Sequence, residues 1–105
     1  MTPSLPIRIL IAEDHLIARV GVKTIINAQP DMKVVAEAST GREAIDQFRL
    51  HRPDITLMDL RMPDMNGIEV GKRMSEINGK VPLVLFTVLD VEGLEAAAQD
   101  RKSVV

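Results

Sequence analysis

The 105 residues include no cysteine, no tryptophan and no tyrosine, and only two phenylalanines. Without cysteine there are no disulfides, thiolate metal sites or thiol nucleophiles. So few aromatics leave no stacking platform for single-stranded nucleic acid or a flavin, and they require an aliphatic core. Long apolar runs are missing as well. None is long enough for a membrane span or a signal-peptide core, so the cytoplasm is the expected compartment and no membrane partner is expected. The formal net charge is −2 and no basic stripe occurs. This segment is therefore not expected to bind nucleic acid, because nonspecific affinity comes from clustered Lys and Arg.

The remaining composition, 46% hydrophobic and 27% charged, is that of a globular chain, and 105 residues suit one domain with no room for a second. The clearest pattern is alternation. Ile7–Ala12 reads as a strand, and Leu16 to Ala28 keeps near-helical spacing through Ile17, Val20, Ile25 and Ala28. Pro30-Asp31 stops that helix, and Lys33 to Ala38 is a second strand. Thr40 with Glu43 forms a capping-box pattern, opening a helix with Ala44, Ile45 and Phe48 on one face until Pro53. Ile55–Asp59 is a third strand, and Asn66 with Glu69 caps a helix that fades at Asn78-Gly79. Leu83–Thr87 is a fourth strand, Asp90 opens a short helix to Ala98, and Ser103-Val104-Val105 begins a fifth strand. Apolar strands separated by amphipathic helices predict an α/β fold, a doubly wound parallel five-stranded sheet in the flavodoxin-like order 2-1-3-4-5.

In such sheets ligands bind beyond the carboxyl ends of the strands, where the strand order reverses. The first strand ends in Glu13-Asp14, the third in Asp59 and the fourth in Thr87, so three carboxylates and a hydroxyl meet at one edge. Carboxylates gathered this way repel and call for a cation, and an all-oxygen site favours Mg²⁺ over Zn²⁺. There Asp59 can act as a nucleophile, giving an aspartyl phosphate, with Thr87 bonded to a phosphoryl oxygen. The turn-rich loop Met62–Gly67 follows Asp59, and the backbone carbonyl of Arg61 is the one placed to face the metal.

The stretches Ile9-Leu10-Ile11-Ala12-Glu13-Asp14-His15 and Met58-Asp59-Leu60-Arg61-Met62-Pro63-Asp64-Met65-Asn66-Gly67, with Thr87 after an apolar strand, resemble response-regulator receiver domains. The resemblance runs from about Ile7 to Ala98, and His15 after the acidic pair is similar to the NarL/FixJ (LuxR-type) branch. It implies a CheY-like fold and a phosphoacceptor signalling domain of a two-component system, phosphorylated on Asp59 by a sensor histidine kinase. Such a domain is no enzyme beyond its own phosphorylation and dephosphorylation. Mg²⁺ would be held by Asp14 directly, by Glu13 through water, by Asp59 and by the Arg61 carbonyl. Thr87 would sense the phosphate, while Arg61 and Leu89 would tune its lifetime. In the intact protein the output would be a DNA-binding domain.

Family receivers also carry a lysine after the fifth strand, an aromatic residue on that strand and a fifth helix. Val105 comes before the lysine is reached, Lys102 lies at the wrong end of the presumed strand, and Ser103 to Val105 offer no aromatic. Residues 1–105 are accordingly expected to be a receiver truncated before its last helix, with no output domain. The uncovered face would invite association or a homodimer. Two other functions share parts of this pattern. A receiver-like module binding partners without phosphorylation needs no lysine. A Mg²⁺-dependent phosphohydrolase would place its nucleophile on the first strand and needs a cap, for which this chain has no segment. His15, lacking a second His or any Cys nearby, makes a poor zinc site and reads as helix-start surface. His51 reads as a helix end, and Met58, Met62, Met65 and Met74 as packing.

Overall fold

The alternating apolar runs become a parallel sheet. The computed structural model describes residues 5–79 and 82–86. In chain order these form β1 (Ile7–Ala12), α1 (Leu16–Asn27), β2 (Met32–Ala38), α2 (Gly41–His51), β3 (Ile55–Asp59), α3 (Gly67–Ile77) and β4 (Leu83–Phe86). The four strands lie in the order β2-β1-β3-β4, every neighbouring pair parallel. This is the expected 2-1-3-4 sequence. The expected fifth strand at Ser103–Val105 and the helix from Asp90 to Ala98 lie outside the described residues.

The sheet is covered unequally. Met58, Leu10, Ala12 and Ala38 face Ala44, Ile45 and Phe48 of α2 and Val70 and Met74 of α3 in one aliphatic core. On the opposite face Ile9 and Ile11 meet Ile26, with Val22, Val34, Ile55 and Leu57 partly buried around them. Between Ile9 and Leu10 the β1–β2 register slips by one residue, so that Val35 has no partner on β1. The bulge turns Val35 and Ala36 towards the α2 side together, as the extra residue of a bulge permits.

The helix caps follow the sequence closely. Thr40 Oγ1 accepts the Glu43 N–H at 3.0 Å, and Asn66 Oδ1 accepts the Glu69 N–H at 2.8 Å. Glu43 reaches back one residue further than a capping box requires, accepting the Ser39 N–H at 2.8 Å and the Ser39 hydroxyl at 3.0 Å. Those bonds hold its carboxyl below the ordinary carboxylate range. α2 ends at Arg52, in the left-handed region at φ 49°. There the Arg8 guanidinium donates to the carbonyls of Arg52 at 2.8 Å and His51 at 2.7 Å.

The helix expected from Leu16 onwards forms, but its spacing does not say which stripe meets the sheet. The face of α1 marked by Ile17, Val20 and Ile25 points outwards, with these residues 89%, 50% and 67% exposed, and the sheet is met instead by Val22 and Ile26. α1 is apolar most of the way round, so two stripes satisfy the helical period and periodicity alone cannot choose between them.

Candidate functional site

β1 and β3 are adjacent, and their carboxyl ends bring Glu13 and Asp59 side by side. Glu13 extends the ladder by one step, its N–H donating to the Ala38 carbonyl at 2.9 Å, which fixes the backbone from which Asp14 and His15 leave the sheet. Glu13 is fully buried and Asp59 is 1% exposed, while Asp14 and His15 are exposed above them. One side-chain donor atom from each of Glu13, Asp14, His15 and Asp59 falls within a mutual spread of 4.8 Å. The structure thus brings together the three carboxylates singled out from the sequence.

The electrostatics of the cluster are unbalanced. Glu13 Oε1 is well provided for: the His15 N–H donates to it at 2.9 Å, and His15 Nδ1 lies 2.7 Å away. Glu13 Oε2 is buried and has no hydrogen-bond donor among the described residues. Burial pushes the Glu13 carboxyl above its ordinary value; the His15 N–H opposes this and the neighbouring Asp59 carboxylate adds to it. His15 is itself raised, first by its bond to Glu13 and then by the charge of Asp14, whose Oδ1 is 3.1 Å from Nδ1. A buried carboxylate oxygen without a donor, beside two more carboxylates, suits a hard cation bound through oxygen.

Arg61 stands just beyond β3, its N–H donating to Asp59 Oδ1 at 3.0 Å. Gly67 N–H closes back on the Leu60 carbonyl at 3.1 Å, and Arg61 and Asn66 form an antiparallel bridge. The loop after Asp59 is therefore a closed turn seated against the cluster. Beside Glu13, Arg19 donates to the Glu13 carbonyl at 2.7 Å and lies 3.3 Å from Glu37, to which Lys23 also donates at 2.8 Å. Thr87, Leu89 and Lys102 lie outside the described residues.

Two features went unread in the sequence. His15 is helix-start surface as expected, the exposed N-cap residue of α1 with no side-chain cap, and the unread part is its place in the acidic cluster. The available signal was the spacing of two residues from Glu13 to His15 across a strand end, which returns both side chains to one side. The other is Asp64, whose carboxylate reaches the first turn of α2. Nothing local to its loop points to that partner.

A profile of the response regulator receiver domain family matches residues 9–101. The nitrate/nitrite response regulator protein NarL of Escherichia coli (strain K12) is 40% identical over 87 residues, 83% of this chain and 40% of that protein. A protein-glutamate methylesterase/protein-glutamine glutaminase of Nocardioides sp. (strain ATCC BAA-499 / JS614) is 37% identical over 90 residues, 86% of this chain and 25% of that protein. The chain thus spans between a quarter and two-fifths of the length of these relatives. Among solved structures, the response regulator domain of Thermotoga maritima CheB superposes with a TM-score of 0.75 at 34% identity, covering 93% of this chain and 72% of that one.

Proposed function

Because the chain belongs to the response regulator receiver domain family, we propose that it is a Mg²⁺-dependent phosphoacceptor, phosphorylated on Asp59 by a sensor histidine kinase. The observation that carries the proposal is the buried, unpartnered Oε2 of Glu13 set against Asp14 and Asp59 at a strand-order reversal. Glu13, Asp14, Asp59 and the Arg61 carbonyl are the ligands we assign to the metal. When bound, Mg²⁺ supplies positive charge to the phosphoryl oxygens during transfer.

This chain's own residues do the rest. An Asp59 carboxylate oxygen attacks the phosphorus of a phosphohistidine as the P–N bond breaks, and the electron pair stays with the leaving imidazole nitrogen. The Arg61 N–H on Asp59 Oδ1 orients the carboxylate, leaving the other oxygen for the attack. Glu13 and Asp14 hold the cation, and Thr87 is the hydroxyl assigned to read the phosphate and move the adjoining loop. The gain of negative charge at Asp59 would then shift a two-state surface.

The whole protein's output is a separate matter. The resemblance to the LuxR-type branch favours a DNA-binding output, whereas the methylesterase relative indicates that receivers this similar belong to proteins of unlike activity. No helix among the described residues is long and apolar enough to cross a membrane.

The test is intact-protein mass spectrometry after incubation with Mg²⁺ and acetyl phosphate, comparing wild type with Asp59→Asn. A single phosphoryl adduct on wild type alone is expected. A folded sample that binds Mg²⁺ but takes no adduct would leave an interaction module in place of a phosphoacceptor.

A further inference from the structure

Phosphoacceptor chemistry gives no role to Asp64, yet this side chain ties the site's loop to a different element. Its Oδ1 accepts the Gly41 N–H at 2.7 Å and its Oδ2 accepts the Arg42 N–H at 3.0 Å. These are two of the donors that a helix leaves unpaired at its start, and the helix dipole favours a carboxylate there. Thr40 satisfies a third, the Glu43 N–H. Burial pushes the Asp64 carboxyl up, but the N–H groups of Gly41 and Arg42, with its own and that of Met65, outweigh it and hold it below its ordinary value.

The contact is also tight. A Cβ on Gly41 would lie 3.0 Å from Val70 Cγ2, 3.1 Å from Met65 Cβ and 3.2 Å from Asp64 Oδ1. Glycine is thus what lets the loop and the helix start meet. At its other end the same loop is fixed to the site, through the Arg61 N–H on Asp59 Oδ1 and the Gly67 N–H on the Leu60 carbonyl. The turn is short and closed, and a shift at Asp64 passes to Arg61 with little slack.

We propose that Asp64 is a positioning residue: by clamping the β3–α3 loop to the start of α2, it holds the Arg61 segment in register with Asp59 for the cation. The inference rests on the phosphoacceptor reading, because it assumes that Mg²⁺ is bound there. Groups that orient metal ligands without touching the metal commonly account for about 10–100-fold in affinity. The clamp spares the loop from being ordered when the ion binds.

The experiment is calorimetric titration of Mg²⁺ into the full chain for wild type, Asp64→Ala, Asp64→Asn and Thr40→Ala, together with amide hydrogen exchange. Asp64→Ala is expected to weaken Mg²⁺ binding about tenfold or more and to speed exchange at Gly41, Arg42 and Gly67. Asp64→Asn keeps one acceptor for the two donors and recovers part of the affinity. Thr40→Ala removes a cap from the same helix end, and its Mg²⁺ affinity should stay within about twofold of wild type. If Asp64→Ala does not fold, Asp64→Asn decides, with a loss of about threefold expected. Wild-type affinity in a folded Asp64 variant overturns the clamp, and so does an equal loss in Thr40→Ala, which would make helix stability the cause. Should wild type bind no Mg²⁺, the phosphoacceptor reading falls and takes the clamp with it, whereas unchanged Asp64 variants in a Mg²⁺-binding chain sink the clamp alone.

Discussion

The two ends of β1 and β3 handle charge in opposite ways. At the amino end, Arg8 and Asp54 exchange backbone and side-chain bonds: the Arg8 N–H donates to Asp54 Oδ2 at 2.9 Å and the Asp54 N–H to the Arg8 carbonyl at 2.8 Å. The Arg8 guanidinium then closes α2 on its last carbonyls, where a cation suits the helix dipole. Arg8 and Asp54 each have a partner of the right kind there. At the carboxyl end, Glu13 and Asp59 are buried against each other with one oxygen left over. The first end stabilises the fold; the second gathers like charge that the proposed cation would offset. Such conflict is expected where a site is built for a ligand.

The largest expected effect lies at the satisfied end. Arg8→Ala removes two bonds from a charged donor to the α2 terminus and should lower unfolding stability by about 2 kcal/mol. Its Mg²⁺ affinity should match wild type. A urea denaturation series with and without Mg²⁺ measures both, and a loss below about 0.5 kcal/mol would show that the end is not held by Arg8.

Asp59→Asn probes the other end and should act in the opposite sense. It removes one of two buried like charges while keeping an acceptor for the Arg61 N–H. In EDTA it should gain about 1 kcal/mol over wild type. On the proposed metal site, Mg²⁺ should raise wild-type stability by mass action, and Asp59→Asn should lose that response. A variant less stable than wild type in EDTA would mean that the cluster is not strained.

How much of this could be read from sequence depended on how far apart the partners lie in the chain. The strands stood out as apolar runs and the caps Thr40 and Asn66 as local signatures, because each involves residues within one turn. Glu13, Asp14 and Asp59 met as expected, since the rule for strand ends needs only the order of the elements. The buried face of α1, the partner of Asp64 and the Arg8 clamp escaped, being set by contacts 22 to 44 residues away or by a choice between two equivalent stripes. His15 lies exposed at the helix start as expected, but its bond to Glu13 escaped for another reason: a lone histidine shows no partner until its neighbours are in place.

The carboxyl edge contains a comparison of its own, which pH can expose at smaller amplitude. Glu13 is raised above 4.5, so its share of stability is present below 4.5 and fades as pH rises through the folded value. Asp64 is lowered below 3.8, so its share is present above 3.8 and is lost as pH falls through the folded value. Urea denaturation in EDTA as a function of pH should show wild type losing stability as pH falls below 3.8 through the Asp64 value and as it rises above 4.5 through the Glu13 value. Mg²⁺ should abolish the loss on the alkaline side. Asp64→Asn should flatten only the acid limb, and a change on the alkaline side instead would assign the two slopes to other groups.

The smallest effect decides whether an orphan polar atom or the gathering of charge makes the carboxyl end distinctive. Thr56 sits midway along β3, paired with Leu10 on β1 and Leu83 on β4, and is fully buried. Its Oγ1, like Glu13 Oε2, has no hydrogen-bond partner among the described residues. Valine has nearly the same shape and keeps the β-branch, so Thr56→Val exchanges only an unpaired hydroxyl for a methyl group. The variant should be more stable by up to about 1 kcal/mol, equally in EDTA and in Mg²⁺. The contrast with Asp59→Asn, whose advantage over wild type should shrink or reverse when Mg²⁺ is present, separates a desolvated atom in a core from a charge awaiting its counter-ion. A Thr56→Val gain that also vanished with Mg²⁺ would tie the middle of β3 to the site and dissolve the difference between the two ends.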